Sequence, residues 1–333
     1  MKVLIAPLNW GLGHATRCIP IIESHIEKGH KVYIASSGRS MAFLCSKFPK
    51  LNRIELPDYD IKYHRYIPVW LSVLLQGVKI LSKIKKEYNL IEKLQNTEQF
   101  DLIISDNRYG VYSKQVKSVF ICHQLNPISP FGIAQVIVEY VHRSLCKDFT
   151  EIWVPDYKQM SIKLSGKLSE LKLKWKQEVK FIFPLSQLEL QYKSTSEVAV
   201  LVLLSGLEPN RTIVEQVLLK ILKDVNYPIV FVGGTPLERN INNISYHSFL
   251  NKKELEKEIN RASIIICRSG YSTIMDLHKE AHKHLIFIPT PGQTEQEYLA
   301  KYLSNKFDNM IEIKEKHLEK KLLQLIVNIS NNC

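Results

Sequence analysis

The chain has 333 residues, 45% hydrophobic and 23% charged, which excludes disorder and suits two domains of roughly 100–200 residues. Forty-five Lys and Arg against 33 Asp and Glu give a formal charge of +12, an attraction for nucleic acid, anionic lipid or phosphorylated small molecules. The cations are spread, densest over 79–93 and 163–180, with no RNA-binding signature, zinc-finger spacing or arginine-rich tail, so nucleic acid is not an expected partner.

Short apolar, β-branched runs alternate with amphipathic segments. Strands are predicted over 3–6, 31–35, 101–105, 118–122 and 151–154, with helices over 15–28 and 69–94. A Lys/Ser/Leu segment at 157–177 lacks strand character and marks a break. Strands resume over 198–204, 229–232, 263–267 and 285–288, with helices over 211–223, 252–261, 272–281 and 295–306 and a charged helical tail over 314–329. This alternation is the pattern of a doubly wound parallel sheet, here twice. The predicted class is α/β, two Rossmann-like doubly wound parallel-sheet domains facing a central cleft. Their expected bounds are 1–160 and 181–313, with a linker over 161–180 and a terminal helix over 314–333 able to pack back on the first domain.

Six scattered cysteines form no CxxC pair and no Cys/His cluster, which reads as reduced thiols without a disulfide frame or metal site. Met1 leads directly into a strand-like run, so a secretory leader is not expected. The apolar stretches near 69–81 and 198–204 are too short or too interrupted to span a bilayer. The expected location is the cytosol, with the inner face of the cell membrane as the alternative.

Ligands of open α/β sheets bind beyond the carboxyl ends of strands, where loops meet helix N-termini. The first such loop reads Asn9-Trp10-Gly11-Leu12-Gly13-His14-Ala15-Thr16-Arg17. Two glycines allow a sharp turn and exposed N–H groups. Thr16 stands where a dinucleotide fingerprint has its third glycine, and no acidic residue closes the second strand. His14 is either a capping or packing histidine or a general base, and a helix N-terminus would keep its imidazole neutral. A second glycine turn, Ser205-Gly206, follows the strand at 198–204. The richest loop is Arg268-Ser269-Gly270-Tyr271-Ser272-Thr273, with Asp276 one turn on: hydroxyls and N–H groups for a diphosphate, and a carboxylate for ribose hydroxyls. Pro289 then leads to Gln293, Glu295 and Gln296, which suit a sugar's hydroxyls, although the helix dipole alone explains an acidic residue there.

Ser269-Gly270-x-x-Thr273 with Asp276, then Pro289 and Gln293…Gln296, resembles the donor-binding half of glycosyltransferase family 28, whose members include the peptidoglycan lipid-intermediate N-acetylglucosaminyltransferase. The Gly11-x-Gly13-His14 loop is similar to that family's first glycine loop, and the Asn-Trp-Gly-Leu-Gly-His-Ala-Thr-Arg start resembles a group of uncharacterised predicted glycosyltransferases. The resemblance implies the GT-B fold, with the acceptor on the first domain and the nucleotide sugar on the second. By position it implies ribose contact at Asp276, diphosphate contact at Ser269, Gly270 and Thr273, and sugar contact at Gln293, Glu295 and Gln296; Gly13, Ser205, Gly206, Arg268 and Ser272 are further donor-binding candidates. Asp276 is shorter than the family's usual glutamate, and the first loop lacks one glycine of the peptidoglycan enzyme.

Two further polar clusters close adjacent strands, Asp106-Asn107-Arg108 and His123-Gln124. Each alone reads as turn chemistry, and together they suit an acceptor site. Asp106 is a second base candidate, or orients His14. The segment 69–86 combines apolar residues with Lys79, Lys83, Lys85 and Lys86; it reads as a core helix with a solvated basic face, or as a peripheral membrane contact if the acceptor is lipid-linked. The expected activity is metal-independent, inverting transfer of a sugar from a nucleoside diphosphate donor, uridine diphosphate first, to a hydroxyl of a glycan or lipid-linked acceptor. The nucleotide sugar is a substrate and no cofactor is expected. The GxGHxxR start also resembles the nucleotide-sugar hydrolase of pseudaminic acid synthesis, so hydrolysis or epimerisation on the same fold is the alternative. A non-catalytic nucleotide-binding protein is the other.

Overall fold

Apolar residues repeating along each strand build two sheets. The structure is a computed structural model that describes residues 1–61, 69–129, 132–172, 174–190, 199–206, 208–233, 239–241, 243–280 and 282–331. They divide into two compact units whose sequence boundary lies between Gln187 and Leu188.

The first half runs β1 (Lys2–Pro7), α1 (Gly13–Glu27), β2 (Lys31–Ser36), α2 (Gly38–Lys47), β3 (Asn52–Glu55), α3 (Val69–Leu75), α4 (Gly77–Glu98), β4 (Leu102–Asp106), β5 (Lys117–Ile121), α5 (Gly132–Cys146), β6 (Glu151–Val154) and β7 (Glu178–Phe181). Its strands lie in the order β3-β2-β1-β4-β5-β6-β7, all parallel. Alternate side chains serve opposite faces. Val3, Ile5, Ile34, Ile104 and Val119 pack with α1 and α2. Leu4, Ala6 and Ile103 pack with Ile91 of α4, and on that same face Phe120 packs with Cys146 of α5. Strand order reverses between β1 and β4, which opens a crevice at their carboxyl ends.

The second half runs β8 (Val200–Leu203), α6 (Asn210–Leu222), β9 (Ile229–Val232), β10 (Arg239–Ile241), β11 (Ile244–His247), α7 (Lys252–Arg261), β12 (Ile264–Cys267), α8 (Tyr271–Leu277), β13 (His284–Phe287), α9 (Thr294–Ser304), β14 (Met310–Glu312) and α10 (Leu318–Ser330). The sheet order is β10-β11-β9-β8-β12-β13-β14, parallel except for the β10–β11 hairpin, and the reversal falls between β8 and β12. Local chemistry sets α7: the Asn251 side chain accepts from the Glu254 N–H (3.1 Å), and the Glu254 carboxylate accepts from the Asn251 N–H (2.9 Å).

Three expectations are corrected. The segment 161–180 is not a linker: Leu164, Leu168 and Trp175 are buried, and β7 pairs with β6. Asp156 fixes its course by accepting from the N–H groups of Leu164 and Ser165, each at 2.9 Å. The terminal helix α10 packs in the second unit, where Leu318, Leu322, Ile326 and Ile329 join the core that includes Val214 and Leu218 of α6. The helix expected over 69–94 is two helices, and the core-helix reading fails for its early turns. Leu74, Leu75, Val78 and Leu81 are exposed, whereas Glu87, Ile91 and Gln95 farther along face inward. The side chains of residues 69, 70 and 73 lie outside the described residues. Strand β3 escaped the sequence reading because Asn52, Arg53 and Glu55 are exposed, and pairing with β2 makes it a strand.

Candidate active site

In the first unit, Gly11 turns the chain after β1 with φ +76° and no heavy atom within 4 Å of the place a Cβ would occupy. Asn9 fastens this loop to its neighbours: its carbonyl accepts from the Ser40 N–H (3.1 Å) and its amide donates to Asp58 (2.6 Å). The helix starting at Gly13 presents His14 and Arg17 on one face, three residues apart. Asp106, the last residue of β4, stands in register with Pro7 at the end of β1. The switch point therefore brings α1 and the end of β4 together.

Asp106 is fully buried and accepts from Arg17 Nε at 2.6 Å and also from Arg17 Nη2. His14 Nδ1 lies 3.2 Å from Asp106 Oδ1 and 2.8 Å from Arg17 Nη2, so it donates to the carboxylate in one tautomer and accepts from the guanidinium in the other. The His14 side chain keeps 15% exposure, the accessible group of the three. Burial alone would raise the Asp106 carboxyl, but Arg17 and His14 outweigh it and hold the group well below the usual carboxylate range. Burial first and Arg17 second lower His14, with His123 adding to the effect and Asp106 opposing it, so the imidazole is held neutral.

The neighbouring cluster divides. His123 follows β5 and is buried with 4% exposure; the Gln124 amide nitrogen lies 3.5 Å from its Nε2. Asn107 is half-buried in the left-handed region, φ +58°. Arg108 is turned inward: it is fully buried and donates to the Pro7 carbonyl (3.1 Å), the Pro57 carbonyl (3.3 Å), Ser37 Oγ (2.7 Å) and Glu87 (2.5 Å). Every arm of its fork is engaged in tying strand ends together. Farther along the same edge, beyond β6 and β7, a cavity of about 440 Å³ is lined by Tyr157, Ile162, Leu171, Phe181 and Phe183 among others. Its size falls within the range of small-molecule sites.

In the second unit, Ser205 and Gly206 (φ +120°) are exposed at the end of β8. The loop after β12 holds several predicted contacts inward. Arg268 is 1% exposed and donates to the carbonyls of Ile288 and Asn210, each at 3.1 Å, and to Glu315 at 2.5 Å. Ser269 Oγ, fully buried, donates to the Gln296 carbonyl (2.8 Å). The Gln296 side chain accepts from the Thr290 N–H (3.0 Å) and donates to Gln293 (2.5 Å). These three residues shape the loop from behind. Gly270 is the residue before α8, and a Cβ there would meet nothing within 4 Å. Ser272, Thr273, Asp276, Gln293 and Glu295 are half-buried near it in sequence and topology. Among the described residues no group of three or more His, Cys, Asp or Glu is arranged to hold a metal ion.

Two sheets of Rossmann order, each with a glycine turn at its switch point, find close structural counterparts. A glycosyltransferase of kitacinnamycin superposes with a TM-score of 0.70 over 99% of this chain and 90% of that one, at 12% identity. VinC, solved in complex with DTDP, gives 0.64 over 99% and 92%, at 12% identity. MurG of Acinetobacter baumannii gives 0.56 over 98% and 90%, at 13% identity. The chain has the GT-B glycosyltransferase fold. Residues 1–122 of this GT-B chain match the model of glycosyl transferase family 1, and residues 211–332 match the glycosyltransferase family 28 C-terminal domain. An uncharacterised glycosyltransferase of Methanosarcina mazei is 29% identical over 176 residues, 47% of this chain. The chain spans 44% of that relative's length.

Sequence reasoning missed Arg17 as a member of the GT-B chain's first site. The available signal was its spacing of three from His14, which puts both on one helical face. Glu87 carried no signal, because its partner Arg108 lies 21 residues away across a strand crossover.

Proposed function

We propose that this protein transfers a sugar from a nucleoside diphosphate donor, uridine diphosphate in the first instance, to a hydroxyl of a glycan or lipid-linked acceptor. The observation that carries this reading is the His14–Asp106–Arg17 constellation at the switch point of the first sheet, in a chain whose residues 211–332 match the family 28 C-terminal domain. With Nδ1–H donated to Asp106, the lone pair of His14 lies on Nε2, the geometry of a general base. That nitrogen takes the acceptor proton as the hydroxyl oxygen attacks the anomeric carbon. The bond from that carbon to the diphosphate oxygen breaks in the same step, which inverts the anomeric configuration. Arg17 keeps Asp106 ionised, and Asp106 in turn stabilises the imidazolium that forms.

The second unit holds the donor in this reading. Backbone N–H groups around Gly270, with Ser272 and Thr273, receive the diphosphate, whose charge they stabilise as it leaves. Asp276 accepts from ribose hydroxyls, and Gln293 and Glu295 read the sugar. Arg268, Ser269 and Gln296 hold those loops in shape. On the first unit, His123, Asn107 and Gln124 border the acceptor.

A peripheral membrane contact accompanies a lipid-linked acceptor. Leu74, Leu75, Val78 and Leu81 around the start of α4, and Val136, Ile137 and Tyr140 of α5, are exposed. The two helices cover one face of the sheet and start at the edge where His14 lies, with Lys79 and Lys83 beside the first group. Among the described residues no helix is long and apolar enough to cross a membrane.

The test is a screen of uridine, guanosine, cytidine and thymidine diphosphate sugars, following diphosphate release with and without glycan or polyprenyl-phosphate-linked acceptors. Acceptor-dependent release with inversion in the product supports transfer. Stoichiometric free sugar without acceptor establishes the hydrolase, and donor binding without turnover on any acceptor establishes a binding protein.

A further inference from the structure

The outer end of the second sheet carries a charged feature that sugar transfer does not use. β14 ends at Glu312, and the chain turns through Ile313, Lys314 and the 3₁₀ segment Glu315–His317 into α10. There Glu312, Ile313, Lys314, Lys316, His317 and Lys321 line a cavity of about 240 Å³. Its lining thus carries three lysines and a histidine against a single acidic residue. The nearby acidic residues are turned elsewhere: Glu315 pairs with Arg268 at 2.5 Å, and Glu319 pairs with Lys220 at 3.1 Å. Among the described residues Lys314, Lys316 and Lys321 have no ion-pair partner, and all three are exposed. The charges act on one another as well. Burial and then Lys316, Lys321, Lys320 and Lys314 lower the His317 imidazole, which places these lysines close enough to repel a further positive charge.

Like charges gathered on a concave surface raise the local concentration of anions. The kind of anion follows from the donors. A planar carboxylate is best matched by the fixed fork of an arginine, and this cavity has none. Several lysines act as point charges with rotatable donors, which suits the tetrahedral oxygens of a phosphoryl group. We infer that the cavity at the end of β14 is a phosphoryl-binding site, separate from the loops after β8 and β12. β14 lies two strands from β12 in the sheet, about 10 Å away at the usual strand spacing, and although Glu315 reaches Arg268 of the loop after β12, no residue of that loop lines the cavity. Its occupant is a soluble phosphoryl compound or a phospholipid headgroup, and the site stands whether or not the chain transfers sugar.

Inorganic phosphate titrated into the full-length protein by calorimetry, at ionic strength held constant with chloride, tests the inference. The wild type is expected to bind, and Lys316→Ala/Lys321→Ala to bind about tenfold more weakly or less, with an unchanged melting midpoint in the absence of phosphate. Lys172→Ala/Lys174→Ala removes the same charge from exposed positions elsewhere and is expected to bind as the wild type. Absence of phosphate binding by the wild type overturns the site, as does undiminished affinity in the Lys316/Lys321 variant or an equal loss in both variants. Sedimentation with phosphatidylcholine vesicles, with and without phosphatidate, separates the sources. Phosphatidate-dependent binding lost in the Lys316/Lys321 variant assigns the headgroup, and phosphate binding without sedimentation assigns a soluble compound.

Discussion

Arg108 and Arg268 occupy corresponding places in the two sheets. Each follows the strand across the switch point, β4 or β12, and each is buried to 1% exposure or less. Each donates to a carbonyl at the end of a neighbouring strand, Pro7 for Arg108 and Ile288 for Arg268, and to a glutamate at 2.5 Å, Glu87 or Glu315. The cause is general: parallel strands end in carbonyls that lose their ladder partners, and a buried carbonyl needs a donor. One guanidinium serves several at once. The loops that carry His14 and Gly270 are thereby held by cations engaged inside the fold.

Removal of Arg108 leaves Glu87 as a buried carboxylate without its counter-charge. Arg108→Met is expected to cost about 3–5 kcal/mol of folding stability. Glu87→Gln is expected to cost less, because the amide still accepts from Arg108 and burial already pushes the Glu87 carboxyl up to about 7 against the pull of Arg108 and Tyr59. Urea unfolding of both variants checks the order; equal losses would contradict it.

His14→Ala is expected to lower kcat by about 10²–10⁴-fold with donor affinity intact, the usual contribution of general base catalysis. Near-normal turnover would remove His14 from the mechanism. Asp106→Asn should lower kcat too, and should also lower the melting midpoint because Arg17 loses its buried partner, whereas His14→Ala should leave the midpoint nearly unchanged.

The two groups give separate pH windows. The folded His14 pKa lies below its ordinary 6.5, so the folded state binds fewer protons than the unfolded one just beneath that pH. Stability from His14 is complete above pH 6.5 and is lost as pH falls toward the lowered value. Asp106, lowered from 3.8, adds stability that is complete above that pH and is lost as pH falls below it. The acid limb of the rate profile should therefore lie below pH 6.5. An acid limb at or above 6.5, measured as kcat against pH, would show that the base is not a histidine lowered in this way.

Two glycines separate structure from binding. A Cβ on Gly110 would lie 2.2 Å from the backbone carbonyl of Ile84, which cannot move aside, so Gly110→Ala should destabilise the first unit measurably. A Cβ on Gly270 would meet nothing, so Gly270→Ala should fold with an unchanged midpoint. If the diphosphate lies against that turn, the added methyl weakens donor binding, and calorimetry with uridine diphosphate reads it. Unchanged affinity would place the diphosphate elsewhere.

The strands at β1, β2, β4, β8, β9, β12 and β13 and the glycine turns after β1, β8 and β12 were legible in the sequence, because buried parallel strands are continuous apolar runs and sharp turns require glycine. The paired α/β domains followed from those local patterns. Exposed edge strands such as β3 were not legible, since pairing alone makes them strands. Polar residues at strand ends were likewise ambiguous. Arg108, Arg268, Ser269 and Gln296 look like ligand contacts in sequence, and only packing shows that they are engaged with carbonyls and side chains inside the fold. His14 was visible as a candidate beside its glycine turn. Its orientation by Asp106 and Arg17 was decided by tertiary structure, because the carboxylate sits 92 residues farther along the chain and reaches α1 only through the pairing of β1 with β4.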